Sequence, residues 1–211
     1  LVPDVLAQQV DIFAPEKLTT YSWKPVYYDL IIASNLPNQE GFSIKTEGPH
    51  QEWVSSPILF AALDPGEVKT YRMNFFPTGP DRGEFGYKIT VESDGGGVTE
   101  SRNIRLEVLD PVIIKEFAAE ADGRDLKVRT LIQSVIRQEI HADISIVGVE
   151  SETLSFDIRR VGETELTGSI PIGNVLAGQH RLRLTITGDM ISDIITESGF
   201  EIQERHDVIE S

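Results

Sequence analysis

"AALDPGEVKTYRMNFFP", from Ala61 to Pro77, decides how the whole chain is read. Asp64-Pro65-Gly66-Glu67 has the composition of a type II turn. Proline at its second position presets φ, and glycine at its third supplies the positive φ that this turn requires. Beyond the turn, apolar and polar residues alternate until Pro77 stops the run. Tyr71, Met73 and Phe75 fall on one face, and Thr70, Arg72 and Asn74 on the other. That period of two predicts a strand with one face buried. The stretch therefore reads as a turn that carries the chain between two sheets, with Glu67 outward on the solvated side.

The same period recurs along the chain. "YKITVES" turns Tyr87, Ile89 and Val91 inward, and "HRLRLTITG" does so with Leu182, Leu184 and Ile186. "NIRLEVLD" offers Ile104, Leu106 and Val108. Gly, Pro, Asn or Asp bounds each run, and Ser93-Asp94-Gly95-Gly96-Gly97 has the composition of a hairpin loop that needs positive φ. One segment points elsewhere. "LKVRTLIQSVIRQEI" carries Val128, Leu131, Ile132, Val135, Ile136 and Ile140 as an amphipathic helical stripe.

An internal repeat settles that segment as a strand. "LIIASNLPNQEGFSIKTEG" (Leu30–Gly48) lies over "TLIQSVIRQEIHADISIVG" (Thr130–Gly148) without gaps, matching Ile32 to Ile132, Ser34 to Ser134, Ile44 to Ile144 and Gly48 to Gly148. Gly66-Glu67 then meets Gly162-Glu163, and "GEFGYKITVES" meets "GQHRLRLTITG". The matches keep their order and drift only by loop-sized steps, the signature of a duplication. In the first copy the helical-looking segment is "YYDLIIAS", aromatic and β-branched, so both are strands. About seven short strands per half predict an all-β protein of two tandem immunoglobulin-like antiparallel β-sandwiches. The boundaries are 1–110 for the first domain, 111–205 for the second and 206–211 for a polar tail. Asp110-Pro111 forms the short junction, which predicts limited freedom between the two.

The totals exclude several classes of function. With 19 Lys and Arg against 34 Asp and Glu, the net charge of −15 argues against a nucleic-acid partner and against anionic lipid. Without cysteine there is no disulfide, thiolate metal site or Cys nucleophile. No apolar run is long enough to span a membrane. A start at Leu1 fits a processed or excised piece, with any anchor outside this chain.

The first half, over about residues 10–108, resembles the NEW3-type sandwich domain first described beside alpha-galactosidases. The resemblance is carried by Trp53 after a proline-containing turn, the Pro65-Gly66-Glu67 turn, Pro77 closing a strand and Gly83 opening the next. The second half departs from it: it has no matching tryptophan and keeps only Gly162-Glu163 of the turn. The resemblance implies an immunoglobulin-like fold and a setting in strings of modules on prokaryotic surface or secreted proteins. It implies no catalytic residue and no cofactor.

The chemistry-bearing residues are sparse. His50, His141, His180 and His206 have no metal-site spacing, and neither a nucleophile elbow nor a phosphate loop is present. The calcium candidate is "EADGRD", with Glu120, Asp122 and Asp125 near Asp110, but it fits no EF-hand spacing, and an Asp-Gly hairpin accounts for the same letters. For a ligand, the aromatic cluster Tyr21, Trp23, Tyr27 and Tyr28 in "TYSWKPVYYDL" offers a platform, although aromatics also serve strand and core packing. The expected protein is not an enzyme. It is a spacer or adhesion-type module, extracellular or in the cell envelope, meeting a protein or glycan there. Two alternatives are a carbohydrate-binding module using those aromatics and a filament subunit donating Val5–Phe13 to a neighbour's open edge. The oligomeric state is left open.

Overall fold

The computed structural model describes residues 10–203. The chain divides into two compact units, Leu1–Leu109 and Asp110–Ser211. The described residues of unit 1 form β1 (Val10–Phe13), β2 (Lys17–Tyr21), β3 (Val26–Ser34), β4 (Glu40–Glu47), β5 (Ile58–Leu63), β6 (Val68–Phe75), β7 (Gly83–Ser93) and β8 (Thr99–Leu109). A single 3-10 turn, Gln51–Trp53, precedes β5. One sheet has the order β1-β3-β6 and the other β2-β8-β7-β4-β5. Every pairing is antiparallel except β2 with β8, which is parallel.

Unit 2 contains β9 (Val112–Asp122), β10 (Asp125–Ser134), β11 (Ile140–Ile146), β12 (Leu154–Ile158), β13 (Gly162–Pro171), β14 (Gly178–Thr187) and β15 (Ile194–Ile202). Its sheets are β9-β10-β13 and β12-β11-β14-β15. Strand for strand this is the order of unit 1, with no counterpart of β2 among the described residues. Glycines of positive φ open matching strands: Gly83 (φ 113°) begins β7 and Gly178 (φ 134°) begins β14.

Alternation builds each core. Leu30 and Ile32 from β3, Ile44 from β4, Ile89 from β7 and Ile104 and Leu106 from β8 are all at most 1% exposed. Leu126, Ile132, Ile144, Leu182, Leu184 and Ile170 do the same in unit 2. Each such side chain removed from water contributes about 1.5–3 kcal/mol. The two clusters share no residue.

The turn Asp64–Glu67 carries the chain from β5 in one sheet to β6 in the other. Gly66 has φ 76°, and the Glu67 amide donates to the Asp64 carbonyl at 3.0 Å, the closure of a type II turn. The side chain of Glu67 does not simply face solvent. Its carboxylate folds back to accept the Asp64 amide at 2.8 Å and pairs with Lys69 at 3.2 Å. The helical-looking stripe of unit 2 is β10, a loop, and the start of β11. Leu126, Val128 and Ile132 point inward at strand spacing, and Ile136 is buried from the loop. Of the segment expected to be donated to a neighbour, Val10–Phe13 is β1, paired antiparallel with β3 of its own sheet, and the remainder lies outside the described residues.

Candidate functional site

One end of unit 1 concentrates aromatic rings and unusual backbone around the segment 76–82, which links β6 to β7. Two tryptophans hold it. On one side Trp53 is buried, its indole N–H donates to the Thr78 carbonyl at 3.1 Å, and its carbonyl accepts the Phe76 amide at 2.8 Å. On the other side the Trp23 amide donates to the Pro77 carbonyl at 2.7 Å. Beside it the Ser22 hydroxyl and an Arg82 Nη1–H both donate to the Gly79 carbonyl, at 2.6 and 3.1 Å. A stretch containing two prolines, short of backbone donors, is thus fixed mostly through its carbonyls.

Both tryptophan loops carry backbone strain. Among the described residues Trp23 (φ 61°) and His50 (φ 52°) are the non-glycine residues of positive φ. The Lys24 amide donates to the Tyr21 carbonyl at 3.1 Å, so Tyr21-Ser22-Trp23-Lys24 is a β-turn with Trp23 at its third position. With φ positive there alone, this is the site that glycine fills in a type II turn. A bulky residue there costs on the order of 1–3 kcal/mol, and such strain clusters where a side chain is wanted for its function. His50 gains something local for its strain. Its ring stacks on Trp53 at 4.0 Å and 9°, Phe85 closes edge-on to both at 5.1 Å, and Glu52 accepts from Nδ1 at 3.1 Å. Trp23 has no such stack, is only half-buried, and its indole N–H has no hydrogen-bond partner.

The four expected ligand aromatics do not share one surface. Tyr27 and Tyr28 are consecutive in β3, so alternation sends them to opposite faces. Tyr28 lies in the core, stacked on Phe75 at 5.6 Å, with its hydroxyl pushed up to about 12 by burial. It is removed from any surface platform. Tyr27 is exposed on the outer face, with the Arg72 guanidinium 5.1 Å above its ring. Tyr21 and Trp23 remain together in the strained turn, with Lys24 5.7 Å from the Tyr21 ring. Exposed Phe76 adds an aromatic on the clamped segment that sequence reading did not single out.

Glu120, Asp122 and Asp125 lie on an exposed hairpin. Asp122 faces Asp125 across the pair, with Gly123 (φ 62°) at the first central position of a type II′ turn. Lys127 ion-pairs with Asp122 and holds its carboxyl below the usual range, while Glu120 sits opposite Lys127. Among the described residues no three His, Asp or Glu side chains converge as metal ligands.

Two further polar clusters are built from ion pairs. A shallow depression of about 880 Å³ on β9-β10-β13 is lined by Lys127 and Arg129, but Arg129 is already paired with Glu165 at 2.6 Å and Glu116 at 3.4 Å. His141 lies between Asp157 at 2.8 Å and Asp143 at 3.2 Å, and the hydrogen bond to Asp157 raises it above the ordinary imidazole range. No helix among the described residues is long and apolar enough to cross a membrane.

No protein-family model matches the sequence, and no curated protein does. Among solved structures the chain is similar to PapD-like domain 7 of human CEP192, at 12% identity over 49% of this chain and 85% of that one, with a TM-score of 0.35. It is similar to the D00-D0 domain of intimin at 11% identity, over 91% of this chain and 99% of that one, with a TM-score of 0.35. It is also similar to Escherichia coli alpha-2-macroglobulin in its native conformation, at 12% identity over 92% of this chain and 16% of that one, with a TM-score of 0.37. Likenesses this distant carry no function across, and the all-β sandwich architecture stands on the strand order itself.

Proposed function

We propose that this chain is a non-catalytic interaction module, of spacer or adhesion type, from a cell-surface or secreted prokaryotic protein. It has a NEW3-like first sandwich and a divergent copy as its second. The observation that carries the reading is Trp23, a half-buried indole kept in a turn position whose backbone favours glycine. Strain spent on an aromatic at a loop end, above a closed core, is the pattern of a contact residue on a rigid scaffold. Tyr21, Trp23 and Phe76 form the contact end, and the partner is a protein or a glycan at the cell surface. The NEW3-like reading draws support from the work its motif residues do. Trp53 and Pro77 fix the clamped segment, Pro65-Gly66-Glu67 makes the sheet crossing, and Gly83 opens β7 at positive φ. The shared strand order supports the duplication.

The test compares the unmodified chain with Trp23→Gly on a glycan array and on envelope preparations. Binding that is lost in the variant, with the fold retained by circular dichroism, is the expected result. Equal binding by both chains, or none by either, sinks the contact-end assignment.

A further inference from the structure

Among the described residues, strand β5, "ILFAAL", is the outermost strand of its sheet and pairs only with β4. Its register tells which backbone groups face outward. The Thr46 amide donates to the Pro57 carbonyl at 2.9 Å, which makes that pair a hydrogen-bonded one. Antiparallel pairs alternate, so Leu59, Ala61 and Leu63 exchange bonds with Ile44, Phe42 and Glu40. The amides and carbonyls of Ile58, Phe60 and Ala62 then point to the open edge. The Ala62 carbonyl confirms this direction, since it accepts Lys69 Nζ at 2.6 Å from outside the sheet. The same residues turn their side chains to solvent, with Ile58 55% and Phe60 75% exposed.

An exposed apolar edge is usually blunted with charge. The matching edge strand of unit 2, β12, follows that rule: Asp157 stands on it, bonded to His141, and Ser155 bonds Asp143. Strand β5 has no charged residue of its own in a chain of net charge −15, and its edge meets charge at one end, where Lys69 Nζ sits on the Ala62 carbonyl. A second copy is the occupant this edge fits. Its own β5 is extended and already ordered, and it brings no carboxylate against the strand. The outward groups at 58, 60 and 62 are symmetric about Phe60, so one strand complements itself about a two-fold axis.

We propose that two copies of this chain associate through β5, antiparallel and in the register that sets Phe60 opposite Phe60 and Ile58 opposite Ala62. The Phe60 pair exchanges two backbone hydrogen bonds, and each Ile58–Ala62 pair does so once Lys69 Nζ swings off the Ala62 carbonyl. The Phe60 rings meet as a cross-strand aromatic pair on the outer face, flanked by Ile58 against Ala62. The two-fold closes the assembly at a dimer, and the sheet runs continuously through both copies. A single strand pair buries less than the roughly 1,200 Å² of a stable interface, so the dimer is populated at about millimolar rather than nanomolar chain. The association is independent of what Trp23 contacts.

The absence of cysteine gives a test of register in the full chain. Opposed hydrogen-bonded residues have Cα atoms about 5.5 Å apart, within the range a disulfide spans. Phe60→Cys gives a covalent dimer on mild oxidation. Ile58→Cys alone does not, whereas Ile58→Cys mixed with Ala62→Cys does. In sedimentation from micromolar to millimolar concentration, the mass of the unmodified chain climbs toward two chains. Phe60→Lys, a change on the solvent face with far-UV dichroism unaltered, keeps the mass of one. Cross-linking at Ile58 as fast as at Phe60, or at neither, overturns the proposal. So does a Phe60→Lys chain that still doubles its mass.

Discussion

Trp23 sits where glycine would be unstrained, so substitutions there separate the backbone from the side chain. Trp23→Ala and Trp23→Gly both delete the indole, but only alanine keeps the left-handed penalty of about 1–2 kcal/mol. Trp23→Gly therefore melts above Trp23→Ala, a difference that denaturant titration resolves. Gly66 makes the converse case. Its φ is 76° and no atom beyond its chain neighbours lies within 4 Å of a Cβ placed there, so Gly66→Ala costs about 1 kcal/mol through the backbone alone. Trp53 differs from both because it is core. Trp53→Ala loses about 3–5 kcal/mol and releases the Thr78 carbonyl. The sequence showed the role of Gly66 openly, since Pro-Gly announces its turn. It hid Trp23 and His50, because the positive-φ position in "YSWK" and in "GPHQ" is itself neither the glycine nor the asparagine that marks such backbone.

At the scale of strands, alternation made most of the fold legible. Tyr87, Ile89, Val91, Ile104, Leu106 and Val108 are all buried where the period of two placed them. The helical stripe in unit 2 arose because Leu131 lies at a register shift between β9 and β10, and because Val135 and Ile136 come from a loop. Only comparison with the first half removed that ambiguity. The candidate ligand surface was less legible, since Tyr27 and Tyr28 are neighbours in a strand and face opposite ways. Cross-strand pairing also ties stability to pH. His141 on β11 is raised by its hydrogen bond to Asp157 on β12 and by Asp143. A raised folded-state value means that the contribution is complete below the ordinary imidazole value of about 6.5 and is lost as pH climbs through the higher value. The melting temperature of unit 2 should fall across that interval, and His141→Gln should flatten the fall in a calorimetric pH series.

At the scale of the whole molecule, the two buried clusters among the described residues have no residue in common, which predicts separable melting. Leu184→Ala removes a fully buried side chain from unit 2 at a cost of about 2–5 kcal/mol. Calorimetry should show one transition lowered and the other in place. The excess of acidic residues acts on both units, so raising salt from about 0.01 to 0.5 M should raise both transitions by screening self-repulsion.

Strand β2 gives the two units different folding histories. It pairs in parallel with β8, bringing Thr19 against Glu107, partners 88 residues apart in the chain. Unit 1 therefore cannot seat its second strand until its last has been made, while the β10-β9 and β14-β15 pairs of unit 2 are hairpins between successive strands. Closing so long a loop before any contact rewards it raises contact order and slows folding. On a ribosome, the segment that becomes β2 waits unpaired while its partner strand, 88 residues further on between Thr19 and Glu107, is made. Unit 1 is thus expected to be the slower unit to mature, which stopped-flow refolding of each unit checks.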